Sequence, residues 1–340
     1  MQPQVNLLAR IATLHRPLVI AAAAVAALGV VAAGGLVIDD RQLLNQPIWT
    51  KTFKFSISFA LYTMTLAWMI SLMPKARRWG WWMGTLVAVG LGGDIMLMVI
   101  QMIGRGRRLH FNQADETDRL IHNLLATGAY GAFVATAVIA VLLSCQRLAD
   151  KSLGSAIRAG LGVALAGMAM ATLMFTPTPE QQAIRDSGHK SQIMGSHGVG
   201  VPDDAAGLPI VGWSVDGGDL RVAHFVGLHA VQLIPLLAIG LLALARRQQA
   251  LRSSLVRRNL IRVTATGHLG LVAVLTWQAQ RGQSVVHPDG ATVLALTGLA
   301  ALVGGGVWAA LRLTPQPRDT PPGTSSPPVP EVTTTTAGNI

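Results

Sequence analysis

Residues 81–103 read WWMGTLVAVGLGGDIMLMVIQMI, an apolar stretch with a single acid, Asp94, near its middle. About twenty consecutive apolar residues are enough to cross the hydrocarbon core of a bilayer as a helix. Such a helix satisfies its own backbone polar groups where no water is present. An ionisable side chain within a span usually faces the interior of the bundle, so Asp94 is the first candidate functional residue.

Seven other apolar stretches of similar length accompany this one along the chain. Only 13% of the 340 residues are charged and 51% are hydrophobic, whereas a soluble domain carries about 25% charged residues. We therefore predict an all-α, polytopic membrane helix bundle of about eight transmembrane helices. The predicted spans lie near 17–38, 53–74, 81–103, 122–144, 157–176, 222–244, 263–281 and 291–312.

The bundle and its flanks divide the chain into three parts. Residues 1–312 form the predicted transmembrane domain, and residues 177–221 form a long extracytoplasmic loop within it. In that loop Thr178 followed by Pro179 and Glu180 predicts the start of a short helix. Residues 313–340 are rich in Pro and Thr, which predicts a disordered cytoplasmic tail.

The basic residues predict the orientation of the chain. Its formal net charge is +11, which on a soluble protein would suggest nucleic acid as a partner. Here the cations flank the spans, including ARRQQALRSSLVRRNLIR at 245–262, and such clusters mark the cytoplasmic side. We predict a multi-pass plasma-membrane protein with both termini cytoplasmic, the lipid bilayer as its partner and no nucleic acid.

Several classes of function lack sequence support. The chain has one cysteine, Cys145, and neither a phosphate-binding glycine loop nor H-E-x-x-H nor C-x-x-C. ATP-driven pumping, dinucleotide chemistry and zincin proteolysis are therefore not indicated. Oligomeric state cannot be read from this pattern.

The histidines are unevenly distributed. Of nine, all but His15 and His268 fall at or beyond the predicted outer half of the membrane. Histidine titrates near neutrality and is the commonest metal ligand, so this asymmetry suggests an outer-face site. Asp94 and His229 lie at similar predicted depths, about 10–13 Å from the outer ends of their spans. The metal or haem candidates are His122, His224, His229 and Asp118.

Helical spacing groups further residues with these. Asp94, Gln101 and Arg105 share one predicted helix face, so Arg105 (or Lys54 on the preceding span) would be the electrostatic partner of Asp94. His229 and Gln232 are three residues apart and face together.

Two other groups have ordinary structural interpretations as well as functional ones. Asp115 and Asp118 precede His122 at helical spacing, and a helix start with acids that complement the dipole is the favoured interpretation. The stretch GWSVDGGDLR at 212–221 has polar groups for a small ligand or a lid. Equally, it suits a turn with an interfacial tryptophan and a helix cap. Its candidate residues are Trp213, Asp216, Asp219 and Arg221.

Four hypotheses for function follow from these patterns. The first is binding or transfer of a small molecule, with a metal or haem as the most concrete ligand or cofactor. The second is a proton-coupled small-solute transporter that uses Asp94. The third, an intramembrane enzyme using Ser214 or the histidines, is the weakest, because no nucleophile–base spacing is diagnostic. The fourth is a non-catalytic membrane scaffold whose polar residues only join helices.

Overall fold

A computed structural model describes residues 13–314. Eight helical segments of this part, one of them the continuous stretch Leu220–Leu244, are long and apolar enough to cross a membrane. This confirms the predicted all-α architecture. The predicted orientation of the termini remains a prediction, and the Pro/Thr-rich tail beyond Thr314 lies outside the described residues. The helices are α1 Arg16–Ile38, α2 Thr50–Ser71, α3 Arg77–Met98, α4 Glu116–Ser144, α5 Lys151–Met170, α6 Pro179–Asp186, α7 Leu220–Leu228, α8 Ala230–Leu244, α9 Ser254–Gln280 and α10 Gly290–Arg312.

Shorter elements modify this plan. A π-helix over Val99–Gly104 extends α3, and a 3-10 turn over Ala171–Phe175 extends α5. A second 3-10 turn, Gln249–Arg252, precedes α9. Two small antiparallel pairs lie in loops: β1 Gln42–Leu43 with β2 Gln46–Pro47, and β3 Gly198–Val199 with β4 Gly218–Asp219.

Side-chain caps explain where several helices begin. Asp115, Asp150, Ser253 and Asp289 each accept a hydrogen bond from a backbone N–H in the first turn of the helix that follows. Such caps satisfy donors that the helix itself leaves free. Thr178 forms a reciprocal capping box at the start of α6, which confirms the predicted short helix.

One helix begins well before its apolar stretch. Helix α9 starts at Ser254, whereas the apolar pattern predicted a span from 263. The extra turns contain Arg257, whose buried guanidinium donates to the Leu251 carbonyl oxygen at 2.6 Å and to the Ser152 hydroxyl at 3.2 Å. The charge is hydrogen-bonded, so the helix can contain it although the hydropathy of this segment is low.

The helices pack as two groups that share a central seam. Helices α1–α4 form one group, and α5 with α7–α10 forms the other. Buried residues from both groups meet at Leu66, Ile139, Leu161 and Val231. Helix α10 packs mainly on α9 and is otherwise exposed. We call the end of the bundle that carries residues 177–219 the loop end, and the end that carries residues 246–262 the arginine end.

A close backbone-to-backbone contact in the second group joins α5 to α7. A Cβ on Gly167 would lie 2.6 Å from the Gly227 backbone, so the two helices meet at bare Cα atoms. The same contact brings the His224 ring to the Gly167 carbonyl oxygen, 2.8 Å from Nδ1.

We predict that Gly167→Ala destabilises the folded protein by about 1–3 kcal/mol, because the added methyl must separate two backbones. The measurement is thermal unfolding of the purified protein in detergent. Gly162→Ala is the matched control, since a Cβ on Gly162 of the same helix meets no atom within 4 Å. Equal stability of the two variants would contradict this account of the contact.

Candidate functional site

Asp94 is buried on α3 and faces Gly128 of α4. A Cβ at Gly128 would lie 2.3 Å from Asp94 Oδ1, so only a glycine leaves room for this carboxyl group. Within residues 13–314 the Asp94 side chain makes no hydrogen bond or ion pair. Its predicted cationic partners are engaged elsewhere: Arg105 binds Asp118, and Lys54 Nζ donates to the Val211 carbonyl oxygen at 2.6 Å.

Gln101 and Arg105 belong to a polar network around Asp118. The Gln101 amide donates to Asp118 Oδ1 at 2.9 Å, and Arg105 donates to the same oxygen at 2.7 Å. Arg107 donates to the other carboxylate oxygen at 2.6 Å. Asp118 is completely buried and already paired with two arginines, so this network is suited to holding α3 against α4 rather than to binding a metal.

The predicted shared face of α3 is retained but does not form one site. Asp94 and Gln101 both contact α4, at Gly128 and Asp118 respectively. These two positions are ten residues apart on α4, which is about 15 Å along the helix. Asp94 is therefore separated from the network of Gln101 and Arg105.

The three candidate ligand histidines have different surroundings. His122 lies between the rings of Phe111 and Phe175, at centroid distances of 6.4 and 6.2 Å. The His224 ring is hydrogen-bonded to Gly167, and His229 occupies the break between α7 and α8. Within residues 13–314 no three His, Cys, Asp or Glu side chains gather closely enough to hold a metal ion.

Gln232 follows His229 on α8, and its side chain is buried. By distance and angle, its amide nitrogen and oxygen have no hydrogen-bond partner among the described residues, although the side chain lies close enough to His229 to interact with that ring.

The loop stretch around Asp219 fastens the loop to the bundle. Asp219 caps α7, accepts from the Ser214 N–H at 2.9 Å and pairs with Arg221. Arg221 also donates to the Gly212 carbonyl oxygen at 2.6 Å. Trp213 packs on the bundle beside Val222, Ala223 and Leu275, whereas Asp216 is exposed. The predicted cap is confirmed, and the tryptophan docks on helices.

A second group of charged and histidine side chains lies beneath the same loop. His110 and His197 stack edge to face, with ring centroids 5.5 Å apart. The Asp203 carboxylate lies 3.4 Å from His197 Nδ1, accepts from the His197 N–H at 2.9 Å and pairs with Arg108 at 2.5 Å. Three loop segments therefore converge through one carboxylate.

Lys51, at the start of α2, faces this group. Its charge interacts with those of Arg108, Arg221 and Asp203, and it also acts on both histidine rings. Lys51 makes no hydrogen bond or ion pair with any residue between 13 and 314. We call the set the loop-end cluster: Lys51, Arg108, His110, His197, Asp203 and Arg221.

Burial keeps both histidines of the cluster neutral near pH 7. Burial lowers the pKa of His197 to about 4, an effect opposed by the hydrogen bond to Asp203 and reinforced by the charge on Lys51. Burial and the Lys51 charge likewise hold the pKa of His110 well below its ordinary value. For Asp203, burial acts to raise the pKa, but the hydrogen bond with His197 and the Arg108 charge lower it far below the usual range.

The backbone beside His110 has an unusual conformation. Phe111 has a φ of +60°, a conformation that non-glycine residues rarely adopt and that occurs often near functional sites. It is held by a hydrogen bond from the Met194 N–H to the Phe111 carbonyl oxygen at 3.0 Å. The Phe111 ring packs so closely on Gly195 that a Cβ there would lie 2.8 Å away.

Sequence reasoning found only part of this cluster. His110 and His197 belong to the histidine excess that we noted, and Arg221 was a loop candidate. Lys51, Arg108 and Asp203 were missed, because charges near span ends were assigned to orientation. Comparison with protein-family models, curated proteins and solved structures finds no match to this chain.

We predict that acidification loosens the loop. The unfolded chain takes up a proton on His197 near pH 6.5, whereas the folded protein resists it until about pH 4. The unfolded state therefore binds more protons in this interval, and stability falls as the pH drops through it. Hydrogen exchange of residues 190–219, corrected for intrinsic rates, should show less protection at pH 5 than at pH 7.

His197→Gln should flatten that pH dependence. His189→Gln is the matched control, because the His189 ring is exposed on the same loop and its one side-chain hydrogen-bond partner among the described residues is the Ser187 hydroxyl. A wild-type slope in His197→Gln would contradict the assignment.

Proposed function

We propose that this chain is a multi-pass membrane protein that binds a small anionic solute at the loop-end cluster. The observation that carries the proposal is Lys51, an ammonium group set among other cations without a carboxylate of its own. Lys51 is half-buried, and a charged group that loses part of its hydration is costly unless it is paired. A bound carboxylate or phosphate would supply the missing partner.

The charge balance around Lys51 supports an anion as ligand. Asp203 pairs with Arg108, and Asp219 pairs with Arg221, so each acid already has an arginine. Lys54 is directed to the Val211 carbonyl oxygen. Lys51 and Lys54 therefore leave two positive charges without a carboxylate partner among the described residues, and of the two only Lys51 makes no hydrogen bond there either.

The other members of the cluster suit recognition of an oxyanion. Neutral His110 offers one ring N–H donor, whereas the single ring N–H of neutral His197 is directed to Asp203. Arg108 Nε is buried and has no acceptor among the described residues. Charge-assisted hydrogen bonds from such donors are the strongest that proteins make to carboxylates and phosphates.

The loop would act as the cover of this site. Lys54 and Arg221 bind the carbonyl oxygens of Val211 and Gly212, and the Asn45 amide donates to the Asp204 carbonyl oxygen at 2.8 Å. These few polar contacts hold residues 204–212 above the start of α2. In the orientation predicted from the basic residues, the solute arrives from outside a plasma membrane.

The geometry gives less support to the metal or haem hypothesis. Its candidates His122, His224 and His229 do not gather as a metal-binding group within the described residues, and Asp118 is paired with arginines. No side-chain arrangement in the described part of the chain suggests a catalytic nucleophile, so we propose binding or transfer rather than an enzyme.

We expect inorganic phosphate or succinate to raise the unfolding temperature of the wild-type protein. The Lys51→Gln variant should bind the same probe at least about tenfold more weakly. The loss of one charged hydrogen bond accounts for this factor, because such a bond contributes about 1.5–3 kcal/mol of binding free energy. The measurement is thermal unfolding across a titration of each probe at constant ionic strength.

Lys190→Gln is the control, because it removes the same charge from an exposed position on the same loop. Equal responses of Lys51→Gln and Lys190→Gln to both probes, or no response in the wild type, would contradict anion binding. The second result would favour the scaffold hypothesis.

Proton coupling through Asp94 is a second candidate function. The observation that favours it is the buried Asp94 carboxyl, which has no cation or hydrogen-bond donor among the described residues and faces bare Gly128. Ionisable groups in this setting often serve proton relays in transporters. Proton movement through Asp94 would accompany movement of the anion.

In proteoliposomes, external succinate or phosphate should acidify the lumen with wild-type protein and fail to do so with Asp94→Asn. The variant should still bind the probe, because Asp94 lies away from the loop-end cluster. A pH-sensitive dye in the lumen reports the effect, and exposed Asp40→Asn serves as control. Acidification by Asp94→Asn at the rate of the control would exclude this role.

A further inference from the structure

A groove between α9 and α10 opens at the arginine end of the bundle. Its volume is about 460 Å³. Both helices contribute to its walls: Leu255, Asn259, Arg262 and Val263 from α9, and Gly306 and Ala309 from α10. This groove is remote from the loop-end cluster, since Arg262 and Ala279, which lies against the loop, are seventeen residues or about 25 Å apart along α9.

The shape of the groove follows from the packing of the two helices. A Cβ on Gly306 would lie 2.9 Å from a Val263 methyl, so the helices touch at that level. Toward the start of α9 they separate, because Leu255 and Asn259 face Ala309 and Thr314 across the gap. The Asn259 amide donates to the Thr314 hydroxyl at 3.1 Å. The result is an apolar slot with a polar rim.

The rim carries positive charge without a protein counterion. Arg262 is exposed, and its only side-chain partner in residues 13–314 is the Asn259 oxygen at 3.4 Å. Arg258 lies one turn earlier on the same face of α9, and Arg312 ends α10. Among the described ion pairs at this end, the carboxylate of Asp150 binds Arg257, which leaves these three arginines unpaired.

We propose that this groove binds an anionic phospholipid, with its phosphate on Arg262 and Asn259 and an acyl chain along Val263 and Ala309. The unpaired arginines complement an anionic headgroup, and the position of the groove favours a lipid. The groove lies on a membrane-spanning pair of helices, where lipid is the surrounding solvent. Basic sites between helices on the cytoplasmic side recognise anionic headgroups, which agrees with the orientation that the arginines predict.

The test uses the full-length protein in nanodiscs of phosphatidylcholine, with or without phosphatidylglycerol. Native mass spectrometry of the protein released from the nanodiscs counts the phosphatidylglycerol molecules retained per chain. We expect one tightly held molecule in the wild type and about tenfold lower retention in Arg262→Gln, the effect expected for one charged hydrogen bond.

Arg147→Gln is the matched control, because Arg147 is exposed at the same end but outside the groove. Attraction to the membrane surface in general would weaken both variants equally, and that result would overturn the proposal. Ala309→Phe fills the apolar slot without changing charge, so retention should fall in this variant also.

The same samples test two other occupants of the groove, a phosphate group alone and residues 315–340. If inorganic phosphate displaces the retained lipid, or if Ala309→Phe retains lipid like the wild type, the groove binds a phosphate group and no acyl chain. If the wild type retains no lipid and hydrogen exchange shows residues 315–340 protected, the tail fills the groove instead. Either outcome rejects the lipid site and leaves the loop-end proposal untouched.

Discussion

The loop end of this protein depends on the hydrogen bonds and the ion pair made by the Asp219 carboxylate. It caps α7, accepts from the Ser214 N–H and pairs with Arg221. Asp203 has the corresponding role for the other half of the loop, through His197 and Arg108. Two buried acids therefore fix a long loop that also packs on the bundle through Ile193, Val199 and Trp213. Without the two acids, the cations beneath the loop would repel one another and expose α2.

The fold could be predicted from the sequence because its cause is local. Each long helix results from about twenty apolar residues in succession, and no partner helix is needed to recognise it. The boundaries were less predictable, since they depend on paired charges. Arg257 extends α9 by several turns because carbonyl oxygens and the Ser152 hydroxyl bind its guanidinium, and those partners are far away in sequence or outside the helix.

The candidate site was predictable only in part, because it is assembled by contacts between loops. The spacing of Asp94, Gln101 and Arg105 indicated a common helix face but not the helix that this face contacts. Spacing gives no information on where the partners lie on the neighbouring helix. There Gly128 accommodates Asp94, whereas Asp118 binds Gln101 and Arg105. In the same way, nothing in the sequence places His197 against His110, since that contact requires the loop to return to the bundle through Asp203.

The two ends of the bundle use positive charge in different ways. The composition gives only the net charge of the whole chain, +11, and not its distribution. At the loop end, Arg108 and Arg221 are largely buried and each is bound by an acid, so the excess charge lies on the half-buried Lys51 and Lys54. At the arginine end, Arg262 and Arg312 are exposed and unpaired within the described residues, so the excess lies at the surface. A half-buried cation beneath a loop suits the small solute that we propose, whereas surface cations beside an apolar groove suit the proposed lipid. The positions of the acids account for this difference between the two proposed sites.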